Sequence, residues 1–418
     1  MNSTCHCTGW PLVVRLLAAA LALPGHAAPL TFDEALRLAE DNAPSLMAQD
    51  AKYRAASSAA IAAGELPDPS LVLGVQNYPI GGPDRWDIDR DAMTMRMVGI
   101  RQEVPNRDKR EARIEVANAG IDRAAAERRI ARLNIRQSVA LAWIGSYYAE
   151  RKQAVLQDFH SENRLLADTV RARIAGGSAQ PADAVAPKQE AALLEQRQDD
   201  LARQQAQNRA ALRRWIGPAA NDTLAGAPPE WPVDGSDYHH TLQAHPELAA
   251  FAPMAREAQA RIRQAKAEKQ SDWSWEVDYQ HRDREFGDMV NLQLSWTLPL
   301  FPDTRQNPLI AASLAQAEQL EAEREALSRE HIQQLEDELA NYASLNRAVR
   351  RNHDSLIPLA EEKAALSLSS YRAGKADLAS VISARRELIE TRLTQIDTEE
   401  QRALSNARLH FAYGEYAQ

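Results

Sequence analysis

Two segments in the second half of the chain alternate between apolar and polar residues, and this period of two constrains the fold strongly. The first, residues 273–280, is Trp-Ser-Trp-Glu-Val-Asp-Tyr-Gln, and the second, residues 290–298, is Val-Asn-Leu-Gln-Leu-Ser-Trp-Thr-Leu. Because successive side chains of a strand point to opposite faces, each segment predicts a strand with one apolar and one polar face. A soluble hairpin with one face on a core is the alternative. The rest of the sequence is helix-forming and offers such a hairpin little to pack on, so the pattern favours strands that cross a bilayer.

The bulk composition narrows how the chain could cross a membrane. Its mean hydropathy is -0.48, and the sequence contains no apolar run of the length that a transmembrane helix needs, about 18 residues. A barrel is then the only spanning structure available to it.

The N-terminus resembles a secretory signal. Arg15 precedes an apolar run at residues 16–23, and small residues follow, so we expect cleavage after Ala27 and a signal peptide over residues 1–27. Both cysteines, Cys5 and Cys7, lie before the cut, which leaves the mature chain without a thiol or disulfide. Losing Arg15 moves the formal charge from -9 to -10, and a chain this acidic is an improbable partner for nucleic acid.

The chain repeats itself at a distance of about 200 residues. Segment 208–217 (Asn-Arg-Ala-Ala-Leu-Arg-Arg-Trp-Ile-Gly) corresponds to 405–414 (Ser-Asn-Ala-Arg-Leu-His-Phe-Ala-Tyr-Gly), an offset of 197. Residues 173–176 align with 371–374 at an offset of 198, which pairs Gly176 with Gly374. Weaker alternation at 70–76 and 93–98 supplies strands for the first half. Each half then has one β-hairpin, and because four strands cannot close a barrel, the chain must form an oligomer.

Long helices fill the space between the strands. Residues 109–175 contain no proline and would span roughly 100 Å as one helix. Residues 307–373 have the same length, but Pro358 should kink or break that helix. Thr31 and Glu34 predict a capping box that opens a first helix from Phe32 to about residue 64.

These features divide the chain into four parts. After the signal peptide, residues 28–217 form a first repeat, with strands at about 69–78 and 93–104 and a helical hairpin at 109–216. Residues 218–240 are a linker rich in proline and glycine. Residues 241–418 form the second repeat, with strands at about 272–281 and 289–299 and a helical hairpin at 307–413.

The order of several short motifs resembles the TolC-type outer-membrane factors, the exit ducts of tripartite efflux pumps. The motifs are Leu-Thr-Phe-Asp-Glu-Ala-Leu at 30–36, Asn-Ala-Pro at 42–44, Val-Gly-Ile-Arg-Gln-Glu-Val-Pro at 98–105, Trp-Thr-Leu-Pro-Leu-Phe at 296–301 and Tyr-Arg-Ala-Gly-Lys-Ala-Asp-Leu at 371–378. The phrase at 101–105, followed by Lys109 and Arg110, is most similar to the heavy-metal branch of CzcC-like cobalt, zinc and cadmium resistance channels.

The resemblance implies a mainly α fold with transmembrane β-strands. Three chains would form a 12-stranded β-barrel, continued by a long α-helical barrel through the periplasm. It further implies an outer-membrane homotrimer that works with a periplasmic adaptor (membrane fusion protein) and an inner-membrane pump of the resistance-nodulation-division (RND) class. The exported cargo would be divalent cations of the cobalt, zinc and cadmium class.

The resemblance also assigns roles to residues at the turns of the helical hairpins. The periplasmic tips that dock on the adaptor fall on Gly176, Gly177, Ser178, Gly374, Lys375 and Ala376. A glycine there is equally well explained as the residue that ends a helix. The acidic residues that close related channels fall on Ser380 and Ser383, so Asp183 and Asp377 are the candidate substitutes. An aspartate near a helix start is also a simple partner for the helix dipole.

The sequence offers little chemistry besides transport. His239, His240 and His245 lie in or beside the linker without companions at a metal-binding spacing, and we expect them to be solvated. No metal ligands, cofactor or catalytic residues are predicted, and the protein should not be an enzyme. Trp273, Trp275 and Trp296 are interpreted as anchors at the membrane interface.

Two alternatives to a metal efflux duct stay open, and a third class does not fit the sequence. An exit duct for drugs or other small molecules would share the same architecture. A periplasmic adaptor is also secreted and has a coiled hairpin, but it has one such hairpin and no duplicated strands. A secreted enzyme or a structural coiled coil would not need the alternating segments.

Overall fold

The computed structural model describes residues 29–282, 285 and 287–414. Its N-terminal segment forms two short helices. Helix α1 covers Phe32–Asn42 and α2 covers Pro44–Ala62. Thr31 caps α1, because its hydroxyl oxygen accepts a hydrogen bond from Glu34 N at 3.2 Å. The Glu34 carboxylate binds Arg37 instead of completing the predicted capping box. The single helix predicted from Phe32 is also wrong, because the residue before Pro44 is extended and ends α1. The predicted signal peptide lies outside the described residues.

Four antiparallel strands form one sheet. Strands β1 (Ser70–Gln76) and β2 (Met95–Val104) form the first hairpin, and β3 (Trp273–His281) and β4 (Met289–Trp296) form the second. The sheet order is β1-β2-β3-β4, so β2 pairs with β3 and joins the two halves of the chain. Strands β1 and β4 are edges, and each has one neighbour within the chain.

The first helical hairpin contains the longest helix among the described residues. Helix α3 runs without interruption over 69 residues, Arg107–Ala175, about 100 Å at the usual rise per residue. A 3₁₀ turn at Pro181–Ala184 leads into the returning helix α4, Ala186–Ile216.

Three helices precede the second β-hairpin. They are α5 (Gly235–Thr241), α6 (Pro246–Ala249) and α7 (Phe251–Ala267). Helix α7 packs against α3 and leads directly into β3, as α2 packs against α3 and leads into β1. A short parallel bridge between Leu30 and Leu224 holds the linker to the N-terminal segment.

The second helical hairpin is interrupted where the first is continuous. Helix α8 covers Gln306–Arg351, a π-helical turn covers Asn352–Leu356, and α9 covers Ile357–Arg372. Pro358 is the second residue of α9; it cannot donate a backbone hydrogen bond, and its ring would clash with a regular helix before it. The wider turn accommodates the proline. Helix α10, Leu378–Leu409, returns and ends in a second π turn.

The core lies between the two hairpins as successive layers along the helices. In the largest layer, the Phe32 and Trp143 rings meet edge to face at 5.5 Å, and Trp231 meets Phe411 at 5.6 Å. Farther toward the hairpin turns, the ammonium of Lys152 lies 2.5 Å from Asp397 and 2.6 Å from Glu400. None of the helices that the structure describes combines the length and apolarity of a membrane span.

Candidate functional site

The apolar side chains of the sheet are exposed. Two rows run across all four strands through paired residues: Leu71, Ile100, Val277 and Leu292 in one, and Leu73, Val98, Tyr279 and Val290 in the other. These eight side chains are 39 to 71% exposed in the single chain. A soluble sheet would bury such rows, so this face requires an apolar partner or medium.

On the opposite face of the sheet, the polar side chains of β3 are buried, whereas those of β4 are exposed. Glu276, Asp278 and Gln280 are only 1 to 6% exposed. Glu276 pairs with Arg101 on β2, and Asp278 accepts a hydrogen bond from the Asn291 amide at 3.3 Å. The phase of the alternation therefore places polar groups inside and apolar groups outside, the reverse of a soluble sheet.

A glycine allows the close approach of β2 and β3 on this polar face. A Cβ at Gly99 would lie 1.9 Å from Oδ1 of Asp278 and 2.8 Å from the carbonyl oxygen of Val277. Any side chain there would displace the Asp278 carboxylate.

The three tryptophans lie at the end of the sheet nearest the helices. Trp273 and Trp296 are directly opposite each other on β3 and β4 and are 39 and 57% exposed. Trp275 is half-buried opposite Leu294. All three belong to the apolar face.

A polar junction connects the sheet to the long helix α3. The side-chain oxygen of Asn106 caps α3 by accepting from Lys109 N at 2.8 Å, and Asn106 N donates to Asp272 at 2.8 Å. The buried Lys109 ammonium lies 2.6 Å from Asp272 and 2.8 Å from Glu268. The sequence does not predict this junction, because Lys109 and Asp272 are distant in the chain.

The turns of both helical hairpins share one backbone geometry. Gly177 and Gly374 have φ values of +69° and +72°, the left-handed conformation that favours glycine. The following residues close matching turns: Ser178 N donates to the Arg173 carbonyl, and Lys375 N to the Ser370 carbonyl, both at 2.9 Å.

This geometry corrects the alignment of the repeats at the tips. Gly176, with φ -82°, closes the end of α3 and is not the counterpart of Gly374. Gly177 is the counterpart, at the offset of 197 that also relates Gly217 to Gly414. Gly176, Gly177, Ser178, Gly374 and Lys375 are exposed, and Ala376 is half-buried.

An arginine connects the two tips. The Arg173 guanidinium lies 4.1 Å from the ring centroid of Tyr371 and donates to the Tyr371 carbonyl at 2.9 Å and the Ser178 carbonyl at 3.2 Å. Tyr371 is buried, and its hydroxyl has no hydrogen-bond partner among the described residues. Nothing in the sequence predicts this contact between residues 198 positions apart.

The candidate gate residues lie just beyond the turns. The Asp183 carboxylate accepts from Gln180 N at 3.0 Å, and Asp377 caps α10 by accepting from Ser380 N at 2.9 Å. The Ser380 hydroxyl, followed by its N–H, holds the pKa of Asp377 below its usual range. Ser383 is exposed on α10. Both aspartates therefore have a local role at a helix start.

The interpretation of the three linker histidines is wrong for one of them. His239 and His240 are exposed on α5, but His245 is buried beside Glu247 and His331. Burial lowers the pKa of His245 to about 4; His331 adds to the lowering, and Glu247 opposes it. The sequence failed here because His331 comes from α8, far along the chain.

The class of the protein follows from two matches within the one sequence. The family described as outer membrane efflux protein matches residues 35–218 and again residues 238–415. The chain therefore belongs to the outer membrane efflux protein family, and the two matches agree with the duplication deduced from the sequence. Members of this family are channels of tripartite efflux pumps and not enzymes, as the sequence predicts.

Solved structures of similar fold support the architecture. A membrane protein from Pseudomonas aeruginosa superposes with a TM-score of 0.80 at 17% identity, over 91% of this chain and 92% of its own. The outer membrane protein VceC from Vibrio cholerae gives 0.74 at 17% identity, over 91% and 95%. CusC, solved in a study of transmembrane channel formation, gives 0.76 at 15% identity, over 93% and 92%. No curated protein matches the chain.

Proposed function

We propose that this chain is the outer-membrane channel of an RND-type tripartite pump and that it exports divalent heavy-metal cations of the cobalt, zinc and cadmium class. The sheet is the observation that carries the membrane part of the proposal. Its exposed apolar rows fit lipid, and its polar face fits a wet lumen. The three tryptophans at the end near the helices fit the interface between lipid and water, where such rings are enriched.

The functional unit is a homotrimer. β1 and β4 each have an open edge, and antiparallel pairing of β4 with β1 of the next copy would satisfy both. A sheet of four strands is too small to close alone, since transmembrane barrels have about eight strands or more. Three copies give the 12-stranded barrel implied by the resemblance to TolC-type factors, with the helical hairpins extending it through the periplasm.

The tips carry adaptor docking and the entrance gate. Gly176, Gly177, Ser178, Gly374 and Lys375 are exposed in two turns of matching geometry, so an adaptor could contact both turns in the same way. The gate candidates Asp183, Asp377, Ser380 and Ser383 lie within about two helical turns of them. The contact of Arg173 with Tyr371 would hold the two hairpins of one chain together as the entrance opens.

Metal ions as cargo are supported by the segment at residues 101–105, which resembles the heavy-metal branch. Within the sheet, Glu276 and Asp278 also place carboxylates on the polar face. A duct for drugs or other small molecules shares the same architecture, so the cargo must be separated by experiment.

Complementation tests the cargo directly. The chain would be expressed with an RND-type metal pump and its adaptor, in a strain that lacks its own outer-membrane channel. We expect resistance to Zn²⁺, Co²⁺ and Cd²⁺ to rise and resistance to hydrophobic dyes to stay unchanged. Protection against dyes alone would refute the metal assignment, and a soluble periplasmic monomer would refute the channel itself.

A further inference from the structure

Three side chains from two parts of the chain meet in a buried cluster beside the inter-repeat segment. His245 precedes α6, Glu247 lies within α6, and His331 lies on α8. Each offers one potential ligand atom, and these atoms all lie within 4.8 Å of one another. The two imidazole rings are 4.1 Å apart between centroids.

The histidine from α8 is incompletely satisfied. Its Nε2 lies 3.0 Å from the Glu247 carboxylate. The side chain of His331 is 7% exposed, and its Nδ1 has no hydrogen-bond partner among the described residues. Nδ1 faces away from Glu247, so the ring can share an ion with that carboxylate only through Nε2, with its proton on Nδ1. A metal ion between Nε2 and the carboxylate would replace the hydrogen bond of 3.0 Å that joins them.

The other histidine has a weak competing role. Nδ1 of His245 accepts a hydrogen bond from Glu247 N at 3.3 Å, at the start of α6. A neutral imidazole has one ring lone pair, so a metal bound to this ring would replace that hydrogen bond. The helix concerned has only four residues, and the contact is long for a hydrogen bond. Capping therefore explains little of why a histidine is buried here.

We propose that His245, Glu247 and His331 bind one divalent transition-metal ion, with Zn²⁺ as the expected occupant. Two imidazoles and one carboxylate suit Zn²⁺, Co²⁺ and Ni²⁺, whereas Ca²⁺ and Mg²⁺ require more oxygen ligands. An ion about 2.0–2.2 Å from each ligand atom would draw the three atoms closer together. Water would complete the coordination.

A bound ion would act as a metal cross-link within the periplasmic part of the chain. It would join α6, at the start of the second repeat, to the middle of α8 in the second helical hairpin. The Tyr413 ring lies 6.0 Å from His245 and 6.4 Å from His331, so the end of the described chain closes the same cluster. The inference does not rest on the proposed cargo, because a duct for any substrate could contain such a metal cross-link.

Metal titration of the purified trimer tests the proposal. The protein would be prepared without a histidine tag, treated with a chelator and titrated with Co²⁺ as a visible probe and with Zn²⁺ by calorimetry. We expect one ion per chain and a visible cobalt spectrum typical of low coordination number. His331→Ala and Glu247→Gln should each weaken binding by at least about 100-fold, since even outer-shell changes cost 10- to 100-fold.

Exposed histidines of the same region provide the matched control. His239→Ala and His240→Ala should bind one ion per chain with unchanged affinity. Glu247→Gln keeps the side-chain size, and heat-modifiable mobility would show that each variant still forms the trimer. Failure of the wild type to bind a stoichiometric ion, binding that survives in His331→Ala, or binding lost in the control variants would each overturn the proposal.

Discussion

Arginine substitutions on β4 test which face of the sheet meets lipid. Leu292 belongs to an apolar row and is 65% exposed, and Gln293 is its neighbour on the opposite face. Leu292 lies three residues from Met289 and four from Trp296, which is about 10 and 14 Å along the strand. With the usual strand tilt of 35–45°, these distances become roughly 8 and 10 Å along the bilayer normal.

This position places Leu292 near the centre of an apolar band about 25 Å tall. Leu292→Arg should therefore destabilise the folded protein by about 2–4 kcal/mol per chain, and Leu294→Arg by a comparable or smaller amount. In the proposed channel the side chains at positions 293 and 295 face the polar lumen. Gln293→Arg and Ser295→Arg should therefore have mild effects. Trp296→Arg lies near the interface and should cost about 0–1 kcal/mol for the charge alone.

The assay is urea unfolding of the protein in lipid vesicles, followed by tryptophan fluorescence and by gel mobility before and after boiling. The differences between variants matter, so the absolute stability need not be known. Equal destabilisation by Leu292→Arg and Gln293→Arg would refute the assignment of the two faces.

Three further substitutions examine the tip, a half-buried histidine and a buried ion pair. Gly374→Val forces a β-branched residue into a left-handed turn at a cost of roughly 1–3 kcal/mol. Efflux in a resistance assay should fall while trimer blots stay normal. Loss of the trimer would contradict a role confined to the tip. Burial lowers the pKa of His410 to about 4 from an ordinary value of 6.5, so the neutral ring contributes its full stability above about pH 6.5. This contribution, at most about 3 kcal/mol, is lost as the pH falls toward 4. Thermal unfolding of His410→Gln should therefore depend less on pH over that window than unfolding of the wild type, and an unchanged slope would contradict the expectation. Lys152→Met leaves Glu400, with a side chain 7% exposed, without its partner and should cost about 3–5 kcal/mol in urea unfolding, whereas Lys363→Met, from an exposed pair, should cost about 0–1 kcal/mol.

The features that depend on local periodicity could be predicted from the sequence. A period of two fixes the face of each side chain, so the apolar rows through Val277 and Leu292 followed directly from the alternation. The interruption before Pro358 also followed, because a proline changes the backbone wherever it stands in a helix.

The features that depend on distant contacts or on a single dihedral angle could not be predicted. Which of Gly176 and Gly177 adopts the left-handed conformation depends on where α3 ends, and helix ends are uncertain by one or two residues. The sequence predicts a solvated His245, because its partner His331 approaches only when α6 packs beside α8. The same holds for Arg173 and Tyr371.

Because the sheet has two open edges, correct pairing between chains competes with incorrect pairing during assembly. A lone chain in water presents unpaired backbone groups on β1 and β4, next to exposed apolar rows, and such edges template pairing with any strand they meet. In the proposed trimer the correct encounter joins β4 of one chain to β1 of another, while β4 meeting β4 gives an association that does not close. Both encounters need two chains, so dilution slows both and does not by itself favour the correct one. The yield of channels should therefore depend on what covers these edges before the chains meet, and refolding should improve when detergent or lipid is present from the start.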